Sequence, residues 1–385
     1  MNTTSERARF LTILLLLATP VLILLATAYS ETSPATLVSA ARLIASKLYV
    51  VSVPDDVDNE LLKLRLFRAL CAAGVGGSLA LAGAMAQGLF RNPMAEPGLL
   101  GIGSGATLGA VLGIAVIGGY GPAWGRFIGG SAMENVAPPA YFTLGLVPVL
   151  SLFGALAVAL TVYRLSTRGG RLSVSFLLLT GLAVNAISSS LMAMMQMFLL
   201  SDWQVSQAIM SWGFGTLDDR NSFHLAVIWS GATFALGLIP FVGLELDMLA
   251  GGEQDAAALG ADPVRIKTLV LSCIAIATAA SVAFCGQIAF VGLLVPHIVR
   301  MLIGPKHRTL LPLSFLAGAT LLLSMVVFQH GFCPWLADAF RAGKHAGLGL
   351  ACDKIGALQP GILTSLIGSP FFLYLLLRQG KRGEL

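Results

Sequence analysis

The sequence predicts an all-α membrane protein with about ten transmembrane helices, and three observations support this. Of 385 residues, 56% are hydrophobic and 11% charged, whereas a soluble domain carries roughly 25% charged residues. Apolar stretches of about 20 residues recur along the chain, the length a helix needs to cross a hydrocarbon core. The 43 glycines suit helices that pack closely in lipid. These observations exclude a soluble globule. The net charge of +5 is no nucleic-acid footprint, because the positive residues sit in short loops where they set topology. No loop has room for a further domain, so residues 1–385 read as one transmembrane domain.

In chain order, residues 1–9 are polar, with Arg7 and Arg9. Residues 10–29 read as a retained first span, since the apolar core of a signal peptide is shorter. A polar stretch at 30–64 follows, and Arg65 and Arg68 stand directly before a second span at 69–90. Arg91-Asn92-Pro93 closes that span. The third span lies at 99–119 and the fourth at 141–163, with a Gly/Pro loop at 120–140 between them. A basic loop with Arg164, Arg168 and Arg171 precedes the fifth span at 174–200. A polar loop with Asp202, Asp218, Asp219 and Arg220 precedes the sixth at 223–242. The last four spans fall at 268–285, 288–303, 310–329 and 362–377, with a long loop before the tenth.

Ten spans place both termini on one side. The short loops at that side hold Arg7, Arg9, Arg91, Arg164, Arg168, Arg171, Arg265, Lys267, Arg300, Lys306, Arg308, Arg378, Lys381 and Arg382. The positive-inside rule makes that side, and both termini, cytoplasmic.

The segment 244–264 then lies between spans six and seven on the cytoplasmic side. Leu249 and Ala256 to Leu259 form an apolar stripe, and Glu253 and Asp255 place acid at a helix start, favoured by the helix dipole. Gly260 is placed to end the helix, and Pro263 suits the start of the next. The segment reads as an interfacial connector or as a coupling helix for a soluble motor.

Several motifs occur in order. Leu64-Arg65-Leu66-Phe67-Arg68 is followed by Gly83-x-x-x-Gln87-x-x-x-Arg91-Asn92-Pro93-Met94-Ala95-x-Pro97-x-x-Leu100-Gly101. Glu253-x-x-Ala256-x-x-Leu259-Gly260 precedes Gly286-Gln287-Ile288-Ala289-Phe290-Val291-Gly292-Leu293-x-x-Pro296-His297-x-x-Arg300. Gly304, His307-Arg308, Pro360-Gly361 and Ile367-Gly368-Ser369-Pro370-Phe371-Phe372 follow. Together they resemble the permease subunits of the iron-siderophore, haem and vitamin B12 ABC importers. The likeness runs from about residue 64 to 377.

The resemblance implies a multi-pass permease of a bacterial inner membrane that performs no bond chemistry and carries no cofactor or metal. ATP and Mg would belong to two copies of a separate ATPase subunit docking on Glu253, Ala256, Leu259 and Gly260. A periplasmic substrate-binding protein would dock through Arg65 and Arg68, whose planar heads suit bidentate carboxylate pairing. A second copy of this chain would complete the pore, in contact with membrane lipid.

Gln87, Asn92 and Pro93 at the inner end of span two line a gate or make an interhelical bond. The family's pore implies that Asn185, Met192 and Met195 on span five line the path, and packing is the alternative. Two positions depart from the family. Where an Asp and an Arg usually close span nine, Val326 and His330 stand, leaving His330 as a docking candidate. The loop 331–356 is longer than usual and carries Cys333 and Cys352. A periplasmic location permits a disulfide between them, and ligation of metal or haem by His330, His345 and the thiols is the rival. An ion-coupled carrier is the competing class, disfavoured because the spans are nearly free of ionisable residues. A membrane enzyme is disfavoured by the dispersed histidines.

Overall fold

The computed structural model describes residues 3–29, 57–117, 140–168, 171–199, 203–218, 220–342 and 346–380. The polar segments expected at 30–64 and 120–140 fall largely outside them, as do Asp202, Asp219, His345, Lys381 and Arg382.

The described chain is helical apart from one small hairpin. Helix α1 spans Thr3–Ala28, and α2 spans Val57–Leu89. A 3₁₀ turn at Pro97–Leu100 leads into α3 at Ile102–Ile117. Helix α4 spans Ala140–Ser166, and strands β1 (Thr167–Arg168) and β2 (Arg171–Leu172) turn the chain into α5 at Val174–Leu199. Helix α6 spans Trp203–Gly213, α7 Ser222–Ala250, α8 Glu253–Ala258, α9 Pro263–Cys285 and α10 Val291–Ile303. Helix α11 (His307–Val327) runs through a π turn at Phe328–Phe332 into α12 (Cys333–Ala342). Helices α13 (Ala346–Gly356) and α14 (Pro360–Gly380) complete the order.

Among the described residues, eight helices are long and apolar enough to cross a membrane. Two shorter apolar helices, Ile102–Val116 and Val291–Ile303, occupy the places of expected spans three and eight.

Burial divides these helices into two classes. The apolar stretch of α2 is 94% buried and that of α9 78%, against 17% for α1 and for α5. Helix α2 is therefore the axis, and α7, α9, α10 and α11 pack around it. Its small residues explain this placement, because without side-chain bulk two backbones can meet. A Cβ added at Gly76 would lie 2.2 Å from the carbonyl oxygen of Gly318 on α11. One added at Gly83 would lie 1.8 Å from that of Gly292 on α10. Polar side chains add bonds between helices: Trp229 Nε1 donates to the Leu70 carbonyl, and Ser151 Oγ to that of Ala106. Cys71, Cys273 and Cys285 are buried in this packing.

Three expectations need correction. The segment 331–356 is not an open loop, because the π turn carries α11 onward into α12, and α13 packs against it. Arg341 pairs with Asp338 at 3.0 Å and with Asp353, tying the two short helices together. No bridge joins Cys333 to Cys352: the first is buried on α12 and the second is a half-exposed thiol on α13. The expected polar loop after span five also contains α6, whose Val205, Ala208, Ile209 and Trp212 are buried.

Candidate functional site

The structure gathers the sequence-derived site residues into a hairpin end, an arginine end and a middle.

At the hairpin end, α7 runs to Ala250, two turns beyond its expected limit. Gly252, at φ 129°, turns the chain into α8. Gly260 adopts φ 86°, the Gly260 N–H reaches Ala257 O and the Ala261 N–H reaches Ala256 O, both at 3.0 Å. This pair of bonds is a Schellman ending, which requires the left-handed glycine. The Asp262 carboxylate then caps α9, accepting from the N–H groups of Val264 and Arg265 at 2.9 and 3.2 Å.

The four expected motor contacts separate. Ala256 is fully buried against its own chain and anchors α8, so it is not offered to a partner. Leu259 is 67% exposed at the tip, Gly260 is exposed beside it, and Glu253 is half-exposed.

One ion pair and one carboxylate–imidazole hydrogen bond, both missed in the sequence, hold this end. Glu253 Oε1 lies 2.6 Å from Lys267 Nζ on the first turns of α9. The same ammonium donates to the Leu172 carbonyl on β2 at 2.8 Å. Asp247 Oδ1, near the end of α7, accepts from the backbone N–H of His307 at 2.9 Å and lies 2.6 Å from its Nδ1. In the sequence, Lys267 appears only as a topology charge and Asp247 as part of a connector.

In the middle, the Gly286 to Arg300 motif is a break between α9 and α10. Gly286 adopts φ 70° with no room for a Cβ, which would meet the Trp212 carbonyl at 2.2 Å. Phe290 adopts φ 66° and donates its N–H to Glu96 Oε1 at 3.2 Å. Burial raises the Glu96 carboxyl above its usual range, and this hydrogen bond works in the opposite direction. Gly292 meets α2, as described above. Pro296 lies inside α10 and is buried with His297, which reaches the Pro93 carbonyl. Arg300 lies in the last turn of α10.

Gln87 is buried, with Nε2 donating to the Leu293 carbonyl at 3.1 Å, so it makes an interhelical bond that joins α2 to α10. Asn92 is exposed and its Oδ1 accepts from the Met94 N–H, shaping the turn before half-buried Pro93.

A cavity of about 310 Å³ opens beside this break. Glu96, Ser104, Asn185, Thr278 and Gln287 give it polar walls. Asn185 thus lines this cavity. Met192 and Met195 are not among the residues lining this cavity, and both pack half-buried against the core. The exposed face of α5 instead carries Ile187, Leu191, Met194, Met197 and Phe198, at helical spacing.

At the arginine end, Arg65 is only 6% exposed and its Nη1 lies 3.5 Å from the Ala28 carbonyl. Arg68 Nη1 donates to Asp218 Oδ1 at 2.9 Å and lies 3.1 Å from His330 Nε2. Both arginines sit inside α2 rather than before it, so they point into the protein end rather than standing free. Asp218, His330 and Gln329 line a cavity of about 280 Å³ with Gly356 to Pro360. Among the described residues no three His, Cys, Asp or Glu side chains meet as a metal site.

Comparison with known proteins matches the "FecCD transport family" over residues 10–333. The cobalamin import system permease protein BtuC of Halobacterium salinarum is 34% identical over 326 residues, covering 84% of this chain and 75% of that protein. The hemin transport system permease protein HmuU of Yersinia pestis is 34% identical over 345 residues, covering 89% and 90%. A solved structure of a metal-chelate type ABC transporter in an inward-facing conformation aligns with a TM-score of 0.70 at 26% identity, covering 97% of this chain and 99% of that one.

Proposed function

The chain belongs to the FecCD transport family, and on that premise we propose a complete working assembly for it. As a permease subunit of this family it is a multi-pass membrane transport protein and no enzyme. In the proposed assembly it lies in a bacterial inner membrane with both termini cytoplasmic. Two copies form a pore for a bulky iron chelate, haem or a corrinoid. Two ATPase subunits, which hold ATP and Mg, dock at the hairpin end, and a periplasmic binding protein docks at the arginine end. Closure of the ATPase dimer moves α8, and the pore opens alternately to each side.

One observation supports this reading above the others. Helix α8 has a sealed side, Ala256, and an exposed apolar tip, Leu259, on a capped and anchored element. An exposed apolar residue on a fixed support suits insertion into a cleft of a soluble partner. The test is purification of the tagged chain in mild detergent, with mass analysis of what accompanies it. An ATPase subunit should co-purify with the wild type and be lost with Leu259→Asp. Purification of the chain alone, even after crosslinking, would overturn the motor assignment.

A further inference from the structure

Lys267 lies near the start of α9 with its side chain 3% exposed. A cation so enclosed needs its partners supplied by the fold, because its water has been removed. Its two partners come from different parts of the chain. One is the Glu253 carboxylate on α8, at 2.6 Å. The other is the Leu172 carbonyl on β2, at 2.8 Å and 95 residues away in sequence.

The second partner belongs to a different unit from the first. Leu172 is itself buried, at 2% exposure. Its strand pairs with β1, Thr167 opposite Leu172, so the hairpin is one piece with the end of α4. Val174, two residues further on, begins α5, the helix whose Asn185 faces the 310 Å³ cavity. The path from α8 to α5 is therefore short and made of regular elements, Glu253, Lys267, Leu172 and the first turn of α5, and Asn185 stands about three turns further along that helix. Strand β2 also packs on α9 directly. Asp262 fixes the start of α9 one turn before Lys267, so the ammonium is carried on a capped helix.

We infer that Lys267 is a positioning residue that makes α8 and the α4–α5 hairpin move as one body, so that displacement of the motor-facing helix is delivered to α5. This rests on the proposed function, in which α8 is the element a motor displaces. The substrate is not touched by Lys267; the residue acts through the hairpin.

The test measures separation rather than activity. Spin labels are introduced as unnatural amino acids at Gln254 on α8 and Ser175 on α5, both exposed, leaving the native cysteines in place. The labelled chain is assembled with its ATPase in lipid nanodiscs. Electron–electron distances are recorded without nucleotide and after trapping with ADP and vanadate. With the distances between copies assigned from singly labelled chains, the separation within one wild-type chain should be narrow and the same in both states. Lys267→Met should broaden it and make it differ between the states, and Lys267→Arg should restore the narrow distribution. A Lys267→Met distribution that superimposes on the wild type in both states would overturn the inference, whatever its thermal stability. A tie that only stabilises the fold would give that superposition. If Lys267→Met fails to assemble, Glu253→Gln removes only the ionic partner and should broaden the same distance, and an unchanged distance would overturn the inference. If the wild type retains no ATPase, the proposed function fails, and the nucleotide-free comparison still reads the tie itself.

Discussion

Lys267 and Arg68 are both enclosed cations on core helices, one at each end of the molecule. Lys267, at 3% exposure, bonds two segments of its own chain. Arg68, at 11%, gives one nitrogen to Asp218 and to the His330 ring, while its Nε and Nη2 have no partner among the described residues. Asp218 is itself 56% exposed beside a cavity. The contrast lies between the two cations: Lys267 spends its ammonium on two segments of its own chain, while Arg68 has donors left over. A cation shared between two segments ties them together, and one with unused donors suits contact with a further acceptor.

Matched charge reversals should break or uphold this contrast. Lys267→Glu would place a carboxylate in an enclosed site against half-exposed Glu253 and the Leu172 carbonyl, neither of which can donate to it, and should cost about 2–4 kcal/mol. The yield of folded protein in detergent should collapse. Arg68→Glu keeps the His330 ring beside it as a possible donor and should cost about 1–2 kcal/mol, read as a modest fall in apparent Tm. Equal losses at both ends would break the comparison.

Asp247→Asn sharpens it from the hairpin side. The carboxylate accepts from both the backbone and the ring of His307, so its loss should cost about 1–2 kcal/mol in nanodisc melting. Asp218→Asn is the counterpart at the arginine end and should shift stability by less than about 1 kcal/mol, as exposed pairs do. Leu259→Asp should be smallest, within about 0.5 kcal/mol, because the residue is exposed. Its effect should appear in ATPase retention instead. Arg65→Glu is unsuitable as a docking test, because Arg65 is buried and its loss would disturb α2 directly.

The long helices were legible because apolar runs of membrane length leave few alternatives. The short ones were not. In α12 and α13, polar residues and Gly347 and Gly349 mask the helical pattern, and the pairing of Arg341 with Asp338 and Asp353 depends on the tertiary contact. The inward packing of Met192 was not legible because α5 is apolar all round, so periodicity cannot say which face meets the core. Met192 packs inward while Met194 is half-exposed. The α8 capping was legible from Gly260 and Pro263, whose backbone demands are local. Lys267 was not, because its carbonyl partner lies 95 residues away and a backbone acceptor leaves no trace in composition.

The backbone contacts of α2 at Gly76 and Gly83 have a consequence for how related sequences can differ. The two glycines are seven residues apart, two turns of helix, and so share one face. Inserting a single residue between them would rotate everything beyond it by about 100°, presenting a side chain to the Gly292 or Gly318 backbone, where even a methyl group has no room. This stretch of α2 can therefore change its side chains elsewhere on its surface, but not its length. Lineages should accumulate insertions in the connections between helices and keep the interval from Gly76 to Gly83 free of gaps.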